Sequence, residues 1–114
     1  MNSYIMECPQ EIKELMKTLY GFSPSESQVM TVLCEEDSLR VEEMAEILDK
    51  DRSTVQRYVS KLRAAGLIKR NSVTKEKGKG RYYVYHIDKE KMKEKIRNKL
   101  DSWKKEKEEE LEKI

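Results

Sequence analysis

The sequence predicts a mainly α-helical fold with one small β-hairpin, and three patterns support this class. Apolar residues recur at three- and four-residue spacings through most of the first 65 positions, which is the period of helices with one buried face. The run RYYVYHI at 81–87 is rich in residues that favour β-strands. Apolar residues in the last 27 positions recur at steps of about 3.67 residues, which predicts one long helix.

The first two helices have clear start and stop signals. Pro9 suits the first turn of a helix and Gly21 is expected to end it. The next start signal is a Ser-Pro-Ser-Glu segment, in which Ser23 can cap the helix while Glu26 bonds back to the Ser23 amide. This second helix is expected to run to about Glu36. The predicted buried residues of the two helices are Ile12, Leu15, Met16, Leu19, Val29, Met30, Leu33 and Cys34.

The middle of the chain predicts a short third helix and a basic fourth helix. Leu39 is expected to form a one-residue strand before the third helix, which buries Val41, Met44, Ala45 and Leu48. Asp51 can cap the fourth helix and Gly66 can end it. With Val55, Val59 and Leu62 turned inward, the residues that face outward are Arg52, Ser53, Gln56, Arg57 and Ser60, flanked by Thr54 and Lys61.

That outward face carries no acidic residue. A solvated helix normally mixes charges, because each i,i+4 pair of opposite sign stabilises it by about 0.2 to 0.5 kcal/mol. A face without such pairs therefore indicates a binding function.

The C-terminal part predicts a hairpin followed by the long helix. Leu67 and Ile68 are expected to begin the first strand, and residues 81–87 are expected to form the second. The loop TKEKGKG between them is expected to form a flexible basic finger. From Asp88 the last helix carries an apolar stripe that a small domain cannot cover, so we expect it to pair with a second copy. The prediction is a binding domain at 1–87 and a dimerisation helix at 88–114. The expected dimer contacts are Met92, Ile96, Leu100 and Trp103.

Charge is distributed unevenly along the chain although the net charge is only +2. Residues 1–49 hold 3 basic and 11 acidic residues, 50–81 hold 11 and 2, and 82–114 hold 10 and 9. Such segregation is typical of a surface that meets a polyanion while the rest of the molecule repels it.

Several function classes are disfavoured. Two cysteines without CxxC spacing and a single histidine give no metal site, no cofactor motif is present, and no nucleophile–base pair indicates an enzyme. Without a long apolar stretch or a secretion-signal pattern, we expect a cytoplasmic protein with reduced thiols and no membrane partner. Charged residues make up 40% of the chain, with many Lys and Glu, which is typical of thermophile proteins.

A resemblance to a known group rests on the middle of the chain. Ala45, a turn near Asp49, and Val55 ten residues after Ala45 have helix-turn-helix spacing. Together with RSTVQRYVSKLRAAGLIKR and GKGRYYVY, they make the sequence resemble archaeal and bacterial winged-helix transcriptional regulators of the MarR, ArsR and TrmB kind. It looks most like their small archaeal single-domain members, over about residues 22–87. Asp49 departs from the glycine usual in that turn, although Asp tolerates left-handed geometry.

The resemblance implies a winged helix-turn-helix with a long C-terminal dimerisation helix. The fourth helix would enter the major groove of double-stranded DNA, and the hairpin, or wing, would touch the backbone or minor groove. Arginine can pair with guanine, glutamine with adenine, and hydroxyls with phosphate. We expect such contacts from Arg52, Ser53, Thr54, Gln56 and Arg57, and phosphate contacts from Lys61, Lys75, Lys77, Lys79 and Arg81.

These observations predict a homodimeric, sequence-specific, DNA-binding regulator of transcription. Two alternatives stay open: a winged helix that binds another protein, and one that binds RNA. Tyr82, Tyr83 and Tyr85 could stack on unpaired bases, but alternate packing of a strand explains them better. The sequence leaves open whether a small-molecule effector binds.

Overall fold

The computed structural model describes residues 7–76 and 80–114. Within them the chain forms five helices and a two-stranded antiparallel sheet, which confirms the mainly α class with a small hairpin. In chain order the elements are α1 (Gln10–Tyr20), α2 (Pro24–Glu35), α3 (Val41–Leu48), α4 (Arg52–Ala64), β1 (Lys69–Thr74), β2 (Arg81–His86) and α5 (Lys89–Leu111). In these two ranges, no helix is both long enough and apolar enough to cross a membrane.

The predicted helix boundaries are confirmed where they depend on local signals. Gly21 ends α1 in the left-handed region, with φ 71°, and its amide donates to the Lys17 carbonyl at 2.9 Å. At the start of α2 the Ser23 amide donates to the Glu26 carboxylate at 2.7 Å, and the Glu26 amide donates to the Ser23 hydroxyl at 3.2 Å. This reciprocal pair satisfies two backbone amides at the start of the helix.

The turn between α3 and α4 has the geometry expected of a helix-turn-helix. Asp49 takes the left-handed conformation, with φ 55° and ψ 49°, so it replaces glycine in conformation as well as in position. Ala45 is 9% exposed and Val55 is fully buried, so both lie in the shared core. The two helices are therefore locked at a fixed angle.

The hairpin starts later than the sequence predicts. Leu67 and Ile68 are each 3% exposed and fill the core after the turn at Gly66, whose φ is 78°. Strand pairing begins only at Lys69, which lies opposite His86, and continues to Thr74 opposite Arg81. The prediction that Leu67 begins the strand is therefore wrong, because the Leu67 amide donates to the Leu62 carbonyl at 3.1 Å and closes the end of α4.

The predicted one-residue strand is confirmed. The Leu39 amide donates to the Tyr85 carbonyl at 3.0 Å, and the Tyr85 amide donates to the Leu39 carbonyl at 2.7 Å. This bridge attaches the segment before α3 to β2, so the hairpin has a fixed position relative to the helix-turn-helix.

Helix α5 is covered by its own chain only near its start. Met92 is 7% exposed and belongs to the core, Ile96 is half-buried, and Leu100 and Trp103 are 40% and 37% exposed. Met92, a predicted dimer contact, packs in the core of its own chain and also lines the groove between α1, α2 and α5. The exposed apolar residues of α5 lie further along the helix.

Candidate nucleic-acid interface

At the start of α4 one carboxylate accepts hydrogen bonds from two hydroxyls of the first turn. Asp51 occupies the N-cap position of α4, as the sequence predicts, but its side chain makes no capping bond to a backbone amide. Its carboxylate instead accepts hydrogen bonds from the Ser53 hydroxyl at 2.5 Å and the Thr54 hydroxyl at 2.7 Å. These bonds lower the pKa of Asp51 to about 2, so the carboxylate is charged at neutral pH. Both hydroxyls must leave Asp51 before they can donate to a phosphate.

Arg52 already has an acidic partner on α3. Its Nε lies 3.3 Å from a Glu42 carboxylate oxygen, and the Arg40 Nε lies 3.9 Å from the other oxygen. Hydrogen bonds from the Glu42 amide and then from Arg52 lower the pKa of the Glu42 carboxyl. The Arg52 side chain is 63% exposed, so the pair belongs to the class of surface ion pairs worth about 0 to 1 kcal/mol. Arg52 can exchange this partner for a phosphate at small cost.

Arg57 and Gln56 occupy the middle of the outward face. The Arg57 side chain is exposed, and its contact in the structure is a long 3.5 Å bond to the Thr54 hydroxyl. Gln56 is half-buried; its amide donates to the Ser60 hydroxyl at 3.3 Å and lies 3.5 Å from the Tyr85 hydroxyl. Among the predicted contact residues of α4, Arg57 therefore has the greatest freedom to reach an outside partner, and Gln56 is held against the wing.

Lys61 contacts its own chain, although a phosphate contact was expected of it. Its ammonium lies 3.0 Å from a Glu26 carboxylate oxygen and 3.3 Å from the Gly21 carbonyl, and 5.4 Å from the centre of the Phe22 ring. The Glu26 side chain is only 11% exposed. Lys61 thus joins α4 to the start of α2.

The described part of the wing presents two of the predicted phosphate-binding residues. Lys75 and Arg81 flank the loop at the end of the hairpin, and both are exposed. Neither has an ion-pair partner among residues 7–76 and 80–114. The other two, Lys77 and Lys79, lie outside the described residues.

The wing tyrosines divide between core and surface. Tyr85 is 2% exposed, which confirms packing for that residue. The Arg40 guanidinium lies 4.3 Å from the centre of the Tyr82 ring on one face of the sheet. Tyr83 is 47% exposed on the other face, with the Arg70 guanidinium 4.1 Å from its ring centre. Arg40 and Arg70 thus each stack on a tyrosine of β2.

Three cations near this surface were absent from the predicted contact set. Arg63 lies near the end of α4, and Lys69 and Arg70 open β1. All three are exposed, and all three line one groove between α4 and β1. No spacing along the chain indicates this convergence, because it depends on the turn at Gly66 and on the direction in which the hairpin leaves the core.

Comparison with known proteins gives consistent relatives. Residues 16–89 match the family model described as "sugar-specific transcriptional regulator TrmB". An uncharacterised protein, MJ1503 of Methanocaldococcus jannaschii, is 37% identical over 90 residues, which are 78% of this chain and 67% of that protein.

Two solved archaeal structures are similar over most of the chain. A possible transcriptional regulator from Methanosarcina mazei superposes with a TM-score of 0.79 at 25% identity, covering 90% of this chain and 87% of the other. The ST1889 protein of Sulfolobus tokodaii superposes with a TM-score of 0.74 at 26% identity, covering 93% and 99%. The winged helix-turn-helix fold is therefore confirmed, and the family match spans more than half of the sequence. The chain belongs to the TrmB family of transcriptional regulators, which is a family of DNA-binding regulators and not of enzymes.

Proposed function

We propose that the protein binds double-stranded DNA sequence-specifically as a homodimer, with α4 in the major groove and the wing on the backbone or minor groove. The observation that carries this proposal is the exposed, acid-free strip of α4 that begins after Asp51 and centres on Arg57. Base edges would be met by Gln56 and Arg57, and by Arg52, Ser53 and Thr54 once they leave their acidic partners. Phosphates would be met by Lys75, Lys77, Lys79 and Arg81.

The experiment is selection of bound fragments from a random duplex pool, followed by titration of the selected and a scrambled duplex. Arg57→Ala should weaken the selected duplex by about 1 to 3 kcal/mol and relax preference at one base position. Lys79→Ala should weaken both duplexes alike and lower the salt slope by about 1. Equal losses on both duplexes for Arg57→Ala would remove the base-reading role. Competition by double-stranded RNA, or an absence of duplex binding, would favour the RNA or protein-binding alternatives.

Dimerisation through α5 is the second part of the proposal. The exposed Leu100 borders an open, largely apolar groove of about 390 Å³ between α1, α2 and α5. A second copy would cover this groove together with the exposed ring of Trp103. In such a dimer the two α4 helices would meet half-sites about 34 to 36 Å apart, or a multiple of that, on a roughly palindromic operator.

Sedimentation equilibrium tests the dimer directly. Leu100→Glu places a charge on the apolar surface and should shift the protein to monomer, because an unpaired charge in an apolar interface is strongly unfavourable. Lys105→Gln makes the same change in net charge on the opposite side of α5 and should leave the mass unchanged. A Leu100→Glu protein that keeps its wild-type mass would rule out this surface as the interface.

A further inference from the structure

The groove between the C-terminal half of α4 and β1, here called the α4–β1 groove, has the features of an anion site. It has a volume of about 570 Å³ and is open to solvent. Its polar lining consists of Ser60, Arg63, Lys69, Arg70 and Asn71. None of the described residues that line it is acidic, so the groove combines three cations with two neutral polar groups.

The three cations of the groove lack the acidic partners that Arg52 and Lys61 of α4 have. Arg52 and Lys61 each lie within ion-pair distance of a glutamate, at 3.3 and 3.0 Å. Arg63, Lys69 and Arg70 have no ion pair within the described part of the chain. Repulsion among uncompensated like charges is unfavourable for the free protein, and an anion bound in the groove would offset that repulsion.

The Arg70 side chain is held by a contact with β2. Its guanidinium carbon lies over the Tyr83 ring, 4.1 Å from the ring centre, and this contact restricts the side chain. A cation–ring contact uses none of the guanidinium's N–H groups as a conventional hydrogen-bond donor, so they can donate to an anion. Arginine presents those donors in a fork that matches two oxygens of a phosphate.

The α4–β1 groove is continuous with the outward face of α4. The Gln56 side chain donates to the Ser60 hydroxyl at 3.3 Å, so Ser60 belongs both to the proposed base-reading strip and to the groove wall. Because Ser60 accepts that bond, its own proton remains available to a phosphate oxygen. A nucleic-acid strand that passes Gln56 would carry its phosphates toward Arg63 and Arg70.

We propose that the α4–β1 groove binds phosphate groups of the DNA backbone through Arg63, Lys69 and Arg70. This inference rests on the proposed DNA-binding function and adds a contact site to it. The site positions the backbone beside α4 and carries no sequence preference, since phosphates are common to every sequence. The same chemistry would accept a free phosphate anion, and the experiment separates the two sources.

The test compares two double variants with an equal change in net charge. Arg63→Ala with Lys69→Ala removes two cations of the groove, whereas Lys104→Ala with Lys105→Ala removes two exposed lysines of α5. Each protein is first checked for an unchanged circular dichroism spectrum and melting temperature. Affinity for the selected and the scrambled duplex is then measured by fluorescence anisotropy over a series of salt concentrations.

We expect the groove variant to bind both duplexes about tenfold or more weakly at 0.1 M salt, with a salt slope lower by about 1.8. The α5 variant should match the wild type. A groove variant that matches the α5 variant would overturn the inference, and a retained effect of Arg57→Ala would then show that the proposed function survives. Absence of duplex binding by the wild type would overturn both. Calorimetry with inorganic phosphate completes the test. If the groove variant loses phosphate binding but keeps its affinity for DNA, the site belongs to a free anion and the DNA contact is overturned.

Discussion

The ion pair between Lys61 and Glu26 allows the structural and the DNA-binding interpretations of one residue to be separated. The 3.0 Å contact joins a Lys side chain that is 45% exposed to a Glu side chain that is 11% exposed. Fully exposed pairs contribute about 0.2 to 1 kcal/mol, and breaking a buried pair costs about 3 to 5 kcal/mol. For this intermediate burial we expect a coupling free energy of about 1 to 2 kcal/mol.

The coupling is measured by a double-mutant cycle that leaves the other contacts in place. Lys61→Met keeps an apolar stem over Phe22, and Glu26→Gln keeps an oxygen that can accept from the Ser23 amide. Lys61→Met should be the more costly single change, since it leaves the shielded Glu26 carboxylate without its cation. In Glu26→Gln, by contrast, the more exposed Lys61 ammonium can be hydrated by solvent. It should lower the melting temperature by about 4 to 8 °C, and the double variant should lose little more.

DNA titration of the same variants decides between the two roles. If Lys61 holds α4 against α2, Lys61→Met should leave the salt slope of DNA binding unchanged. A coupling below about 0.3 kcal/mol, together with a salt slope lower by about 1, would refute the structural role and support the phosphate contact predicted from the sequence.

Three further predictions concern α4 and its flanks. Gly66→Ala and Gly21→Ala should each destabilise the protein by about 1 to 2 kcal/mol in urea unfolding, because both glycines are left-handed. An added Cβ would meet a flexible lysine end at 3.0 Å at Gly66, but nothing at Gly21. Near-equal losses would therefore show that backbone conformation dominates. Asp51→Asn should tighten DNA binding at neutral pH by removing a carboxylate beside the phosphates, and anisotropy measures this. Because folding lowers the pKa of Asp51 from 3.8 to about 2, its contribution to stability should be complete above pH 4 and disappear as the pH falls toward 2, a trend absent from melting curves of Asp51→Asn. Tyr83→Leu should weaken binding to selected and scrambled duplexes alike by releasing Arg70, whereas Tyr83→Phe keeps the stacked ring and should bind as the wild type does.

The features that the sequence predicts well are those determined by neighbouring residues. The capping box of Ser23 and Glu26 needs only three residues of separation, and the end of α1 needs only a glycine after an amphipathic stretch. The left-handed turn at Asp49 also follows from local chemistry, because few other side chains tolerate that conformation. Helix identity and the inward face of α4 therefore follow from the sequence alone.

The parts of the site that the sequence did not predict depend on distant contacts. Lys61 pairs with a residue 35 positions earlier, and no periodicity of α4 indicates which acidic residue would reach it. Arg70 stacks on Tyr83 only because the strand register places Arg70 opposite Tyr85 and Tyr83 diagonally across. Charge counts locate the basic third of the chain, whereas the pairing state of each cation requires the three-dimensional arrangement.

The pairing of Arg52 with Glu42 bears on how contacts of this protein with DNA should be counted. In the proposed complex, an arginine that moves from a carboxylate to a phosphate displaces a counterion from the DNA but uncovers a carboxylate that attracts a new one. Its net release of ions would then be close to zero, even when the new contact is short. The number of phosphates inferred from ionic-strength data would fall below the number of guanidinium and ammonium groups that touch the duplex, and the deficit would report how many acidic partners were left behind.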